Sequence, residues 1–170
     1  MTAPQAWRLG AVELAAHIRS GACSALQATD SVLARLEQVN PRLNALAEVM
    51  ADEARAAARA CDAAQAAGLP LGPLHGVPVT VKVNVDMRGR ATTNGVVAFK
   101  DNIAAEDSPV VANLRRAGAV IIGRTNTPAF SVRWFTENDL HGRTLNPWSR
   151  GHTPGGSSGG ASSAVAAGMG

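Results

Sequence analysis

The chain has 170 residues, 46% of them hydrophobic and 17% charged, enough apolar material to bury a core and too much for a disordered or fibrous class. Basic residues outnumber acidic ones by 16 to 13, a net charge of +3 that is too weak a field to argue for a nucleic-acid partner. Arginines such as Arg8, Arg19, Arg35, Arg42, Arg55, Arg59 and Arg88 are scattered with no dense run, and the chain holds no tyrosine to stack between them; they read as a solvated surface.

The first stretch, Met1 to Gly21, lacks a basic segment followed by an unbroken apolar one, so neither secretion nor a membrane span is expected. Next, Ser24-Ala25-Leu26-Gln27 fits a capping box, and Leu26, Val32, Leu33 and Leu36 recur at helical spacing. This predicts an amphipathic helix ended by Asn40-Pro41. A second, alanine-rich helix is predicted from Leu46 to Ala67, with Gly68 and Pro70 as its stop. Cys23 and Cys61 form neither a CxxC pair nor a dense framework, so reduced thiols in a cytoplasmic setting are expected.

At Gly72-Pro73 the pattern changes, because Val77, Val79, Val81, Val83 and Val85 occupy alternate positions. They should share one face of a strand, with Thr80, Lys82, Asn84 and Asp86 on the other and Lys82 in mid-strand. Ser108-Pro109 reads as a capped helix start, Gly118 as its end, and Ala119 to Ile122 as a buried strand. Strand, helix and buried strand make a crossover unit, which favours the α/β fold class, a sheet with helices covering its faces. Residues 1–68 form the helical region and 72–170 the strand–helix–strand core, with no linker between them.

The glycine-serine segment Thr153 to Gly160 runs into a small-residue stretch, Ala161 to Ala167, that can form a helix. Free N–H groups at such a helix start suit an anion or a developing oxyanion. Three readings compete. A phosphate loop needs lysine and a hydroxyl where Ala161-Ser162 stands. A GxSxG elbow centred on Ser157 or Ser158 needs an acid and a histidine afterwards, yet no acid follows Asp139 and no histidine follows His152. The third is a flexible turn without chemistry.

Four segments together resemble the amidase signature family: GPLHGVPVTVKVNVD from Gly72, AEDSPVVANLRRAGAVIIGRTNTPAF from Ala105, HGRTLNPW from His141 and TPGGSSGGASSAVAAG from Thr153. The resemblance implies the amidase-signature fold, incomplete in this chain, with residues 1–170 as the N-terminal portion of one domain. It implies cleavage of a small-molecule carboxylic amide by a serine–serine–lysine relay, without metal or organic cofactor and with no direct nucleic-acid contact. Lys82 corresponds to the family's lysine, and Ser157 to the bridging serine, which follows a cis peptide at Gly156. Ser158 adjoins the pair, and Ser131 corresponds to a residue lining the acyl pocket, with a plain loop residue as the alternative.

The attacking serine and the oxyanion-hole amides would follow Gly170, so this chain alone is expected to be inactive. Where the family carries an aspartate after the lysine, this chain has Val83. Lys82 on an exposed strand face is the alternative to a catalytic lysine. As a base it must be neutral, which burial or a nearby positive charge can bring about. His75, His141 and His152 lack ligand spacing for a metal. One rival reading is a transamidating component that works on charged tRNA with partner proteins, and another is a binding remnant without catalysis. Exposed strand edges should bring poor solubility or self-association, a homo-oligomer included.

Overall fold

A computed structural model describes residues 3–170; the first two residues of the helical region lie outside it. After a 3-10 turn at Ala3–Arg8 come α1 (Ala11–Arg19) and α2 (Ala25–Leu43). Ser24 and Gln27 form the expected reciprocal cap on α2. Both oxygens of Asp62 also accept from that helix's first amides, at 2.7 Å from Ala25 N and 3.1 Å from Leu26 N, where a negative charge meets the positive end of the dipole.

Helix α2 does not stop at Asn40-Pro41 but carries Pro41 inside its last turn. A proline so close to the end sacrifices one amide bond, and Asn44, in the left-handed region at φ 51°, closes the helix. The Asn40 side chain then accepts from Ala45 N and Leu46 N, both at 2.9 Å, turning the chain into a strand. That strand, β1 (Leu46–Val49), occupies what the alanine-rich pattern assigns to the second helix, which begins only at α3 (Ala51–Ala66). Pairing with a distant strand overrides local helical preference there.

The crossover unit is present as β2 (Pro78–Lys82), α4 (Pro109–Arg116) and β3 (Val120–Thr125). Ser108 caps α4 by accepting from Val111 N at 3.4 Å. Strands β2 and β3 are parallel and β1 is antiparallel to β3, giving the order β1-β3-β2. Every residue of β3 is buried, as a central strand covered on both faces must be. One face meets α1, α2, α3 and the C-terminal helix α5 (Gly159–Ala166) through Leu14, Leu33, Val77, Ile122 and Ala164. The other meets α4 through Val81, Met87, Val111 and Ile121.

Two strand expectations need correction. Strand β2 ends at Lys82, where Val85 N donates back to Lys82 O at 3.0 Å in a turn, so Lys82 stands at the strand's C-terminal end. The alternating valines also do not share one core: Val77 and Val81 belong to different clusters, because the register shifts between Val79 and Thr80. A short hairpin, β4 (Glu137–Asn138) with β5 (Gly142–Arg143), has no counterpart in the sequence reading.

Candidate active site

Parallel strands leave a crevice beyond their carboxyl ends, and the chemistry-bearing side chains of this protein gather at the ends of β2 and β3. Lys82 comes from the last position of β2. The turn before α5 brings Ser157 and Ser158 over it, with Lys82 Nζ donating to Ser157 Oγ at 2.9 Å and to Ser158 Oγ at 3.2 Å. Ser157 is half-buried and Ser158 exposed. The peptide between Gly156 and Ser157 is cis.

Glycines let this turn pack so closely. A Cβ at Gly156 would collide with the backbone of Arg133 to Phe135, and one at Gly160 would lie 2.5 Å from Asn126 N and 2.7 Å from Ala45 O. The glycine-serine segment is therefore a fitted turn and not a free linker.

Ser131 is held by protein groups. Asn84 Nδ2 donates to its hydroxyl at 3.1 Å, the Asn94 side chain lies at 2.7 Å, and Thr127 Oγ1 lies at 2.9 Å. Thr127 Oγ1 in turn donates to the Ser157 carbonyl at 3.1 Å. All four residues singled out in the sequence thus lie in one constellation, Ser131 through Thr127. Ser131, Val132, Arg133, Trp134, Gly156 and Ser157 line a cleft of about 280 Å³. A larger groove of about 550 Å³, lined by Arg35, Arg42 and Trp148 among others, shares no residue with it.

Burial pushes the Lys82 ammonium below its ordinary value, since a charge taken from water favours its neutral form. Among the described residues Lys82 has no carboxylate partner within 4.0 Å to offset this. Val83 is 1% exposed, so no acid side chain braces the turn after the lysine. Its backbone is held instead by Thr125 O, at 3.1 Å from Val83 N, and by Arg124 Nη2, at 3.1 Å from Val83 O.

The sequence reading did not single out Arg124 or Thr127. Arg124 is 1% exposed and also donates to the carbonyls of Val85 at 3.1 Å and Ala91 at 2.7 Å, so it ties down the loop on both sides of Asn84. An arginine continuing the apolar run Val120 to Ile122 was the available signal, because a buried guanidinium needs several fixed acceptors. The histidines bond elsewhere: His75 to Cys61 O at 3.1 Å, His141 to Thr93 Oγ1 at 3.0 Å and His152 to Ser149 Oγ at 2.9 Å. Among the described residues no three His, Cys, Asp or Glu side chains come together, and no described helix is long and apolar enough to cross a membrane.

The Amidase family model matches residues 27–170. The chain is 58% identical over 164 residues to the indoleacetamide hydrolase of Bradyrhizobium diazoefficiens, covering 96% of this chain and 31% of that protein. It is 43% identical over 152 residues to a glutamyl-tRNA(Gln) amidotransferase subunit of a Synechococcus species, covering 89% of this chain and 31% of that one. A solved bacterial aryl acylamidase of the amidase signature enzymes superposes with a TM-score of 0.90 at 33% identity, over 95% of this chain and 34% of its own. The chain spans about a third of the length of the curated relatives it matches. Its mixed α/β architecture agrees with these likenesses, and the chain belongs to the amidase family.

Proposed function

We propose that residues 1–170 are the N-terminal portion of one amidase-signature domain and supply the base and the bridging serine of a hydrolase for small carboxylic amides. The observation that carries this reading is the 2.9 Å contact from Lys82 Nζ to Ser157 Oγ, made by a lysine whose burial favours its neutral form. In this reading a third serine, supplied by sequence other than these residues, attacks the amide carbonyl carbon. Its proton passes to Ser157, whose own proton passes to neutral Lys82; the hydroxyl can donate and accept at once. The C–N bond then breaks, the proton returns through Ser157 to the leaving nitrogen, and water cleaves the acyl-serine to release the acid.

Ser131, which lines the cleft, and Ser158, exposed beside it, border the space where the amide lies. The steps assigned here use side chains alone, and the 170-residue chain by itself is inactive or nearly so. Its two cysteines are unpaired, which supports a cytoplasmic setting. Likeness to the indoleacetamide hydrolase makes indoleacetamide the first substrate to try.

Grafting tests the reading. The matching segment of the Bradyrhizobium enzyme is replaced by this chain, and ammonia release from indoleacetamide is followed. The graft should hydrolyse it, and Lys82→Ala or Ser157→Ala should lower kcat by about 10³-fold or more, as loss of a relay member does. A folded, active graft indifferent to Lys82→Ala would sink the proposal. Likeness to an amidotransferase component supports a second reading, a partnered transamidase. That reading expects ammonia release from free amides to require partner proteins.

A further inference from the structure

Thr127 is fully buried just beyond β3, and both of its backbone polar groups are fixed. Its N–H donates to Asn126 Oδ1 at 2.9 Å, and its carbonyl accepts from Asn138 Nδ2 at 2.7 Å. Asn138 Nδ2 also reaches Asn126 Oδ1 at 2.8 Å, so two asparagines brace the residue from either side. The anchored threonine aims its hydroxyl at two oxygens, Ser131 Oγ at 2.9 Å and the Ser157 carbonyl at 3.1 Å.

Counting protons assigns the direction. A carbonyl can only accept, so the single Thr127 proton goes to Ser157 O. The 2.9 Å contact with Ser131 must then use the Ser131 proton. At its remaining contacts Ser131 accepts from Asn84 Nδ2 at 3.1 Å and, as the structure orients the Asn94 amide head, faces Asn94 Oδ1 at 2.7 Å. A half-turn of that head, which exchanges oxygen for nitrogen, presents its NH₂ to the serine. The chain then runs one way, from the two asparagines through Ser131 and Thr127 to the Ser157 carbonyl.

Ser157 is thus gripped at both ends, by Thr127 at the carbonyl and by Lys82 at the hydroxyl. Losing the anchor on the Ser157 carbonyl would free the Ser157 backbone to shift, and any displacement of its Cα moves Oγ off Nζ. We propose that Thr127 is a positioning residue, whose hydroxyl, backed by Ser131, holds the Ser157 backbone so that Oγ stays on Lys82. The inference rests on the reading of Lys82 and Ser157 as relay members. It goes beyond that reading because Thr127 touches neither the base nor the substrate's reacting atoms.

The sequence holds only two lysines, Lys82 and Lys100, so lysine-selective ¹³C labelling of the full chain, in its monomeric concentration range, isolates the Lys82 CεH₂ signal. An NOE to the Ser157 CβH₂ protons should appear in the unaltered chain, persist in Thr127→Ser and vanish in Thr127→Val, which keeps the shape and deletes the hydroxyl. In the graft, Thr127→Val should lower kcat by about tenfold to a hundredfold at unchanged KM, the size expected of a misplaced relay atom. Thr127→Ser should restore it.

Retention of the NOE in Thr127→Val would overturn the proposal. So would a joint loss of kcat and rise in KM that Thr127→Ser does not restore, which marks a residue that merely holds the fold. If Thr127→Val does not fold, Ser131→Ala removes the donor behind the threonine, and an undiminished NOE there overturns the proposal equally. An unaltered graft that cannot hydrolyse indoleacetamide would reject the relay reading, while the NOE in the unaltered chain still decides what Thr127 does.

Discussion

A lysine with no acid beside it and two serine hydroxyls within 3.2 Å is held by groups that stabilise either of its protonation states. Burial, with no counter-charge, is what tips Lys82 towards the neutral amine. The ¹³Cε titration of Lys82 should therefore have its midpoint below that of the same resonance in the urea-unfolded chain. Between the depressed value and the ordinary one, the unfolded chain holds a proton that the folded chain has released. Stability contributed by Lys82 therefore rises with pH through that window, and below it the folded state carries the full cost of a buried ammonium. Urea midpoints measured across the window should rise with pH, and less so in Lys82→Met. Coincident midpoints for the folded and unfolded lysine would show that the amine is solvated and ill suited to act as a base. Lys82, Ser157 and Ser158 were legible because short motifs carry them. Thr127, Asn84 and Asn94 were not, since what matters is which oxygen each one faces across 30 or more residues of chain.

Between elements, the same limit on local reading recurs. Capping at Ser24 and Ser108 was legible because the partner amide lies three residues on. Strand β1 was hidden because its reason to exist is β3, with Leu46 opposite Thr125. The strand end at Lys82 was hidden because Arg124, Thr125 and Asn94 gather the chain there from elsewhere. Glycines at the start of α5 belong to both kinds: the sequence marks a turn, and the structure shows what crowds it. Gly160 lies on Asn126 and Ala45, which link the α2–β1 junction to the end of β3. A methyl group there must push apart backbone on two elements, so Gly160→Ala should cost about 2–3 kcal/mol, the upper range for overpacking a tight site. Gly151, whose added Cβ would meet nothing nearer than 3.9 Å, is the control, and Gly151→Ala should stay within about 0.5 kcal/mol. Urea midpoints at constant slope measure both. Equal costs would mean that the α5 turn yields, and that its glycines serve some other need than close packing.

Around the cleft the molecule keeps apolar side chains in water: Val132 is 76% exposed and Trp134 87%. Their clustering beside Ser157 distinguishes them from scattered exposed residues such as Val12 on α1, at 87%; single exposed apolar groups are ordinary, while contiguous ones seek cover. Both β1 and β2 are also edge strands of the three-stranded sheet, and an open edge offers unpaired backbone groups to a neighbour. The two features point the same way, so the 170-residue chain should associate as its concentration rises through the micromolar to millimolar range where such surfaces pair. Sedimentation velocity across that range should show a growing oligomeric fraction, reduced by Val132→Ser with Trp134→Ser and unaffected by Val12→Ser. If Val12→Ser reduced association as much, general hydrophobicity would be the cause and the cleft rim would have no special part. A monomer throughout would assign the rim to ligand contact alone, because apolar groups that do not pair with each other in water can still line the walls of a cleft.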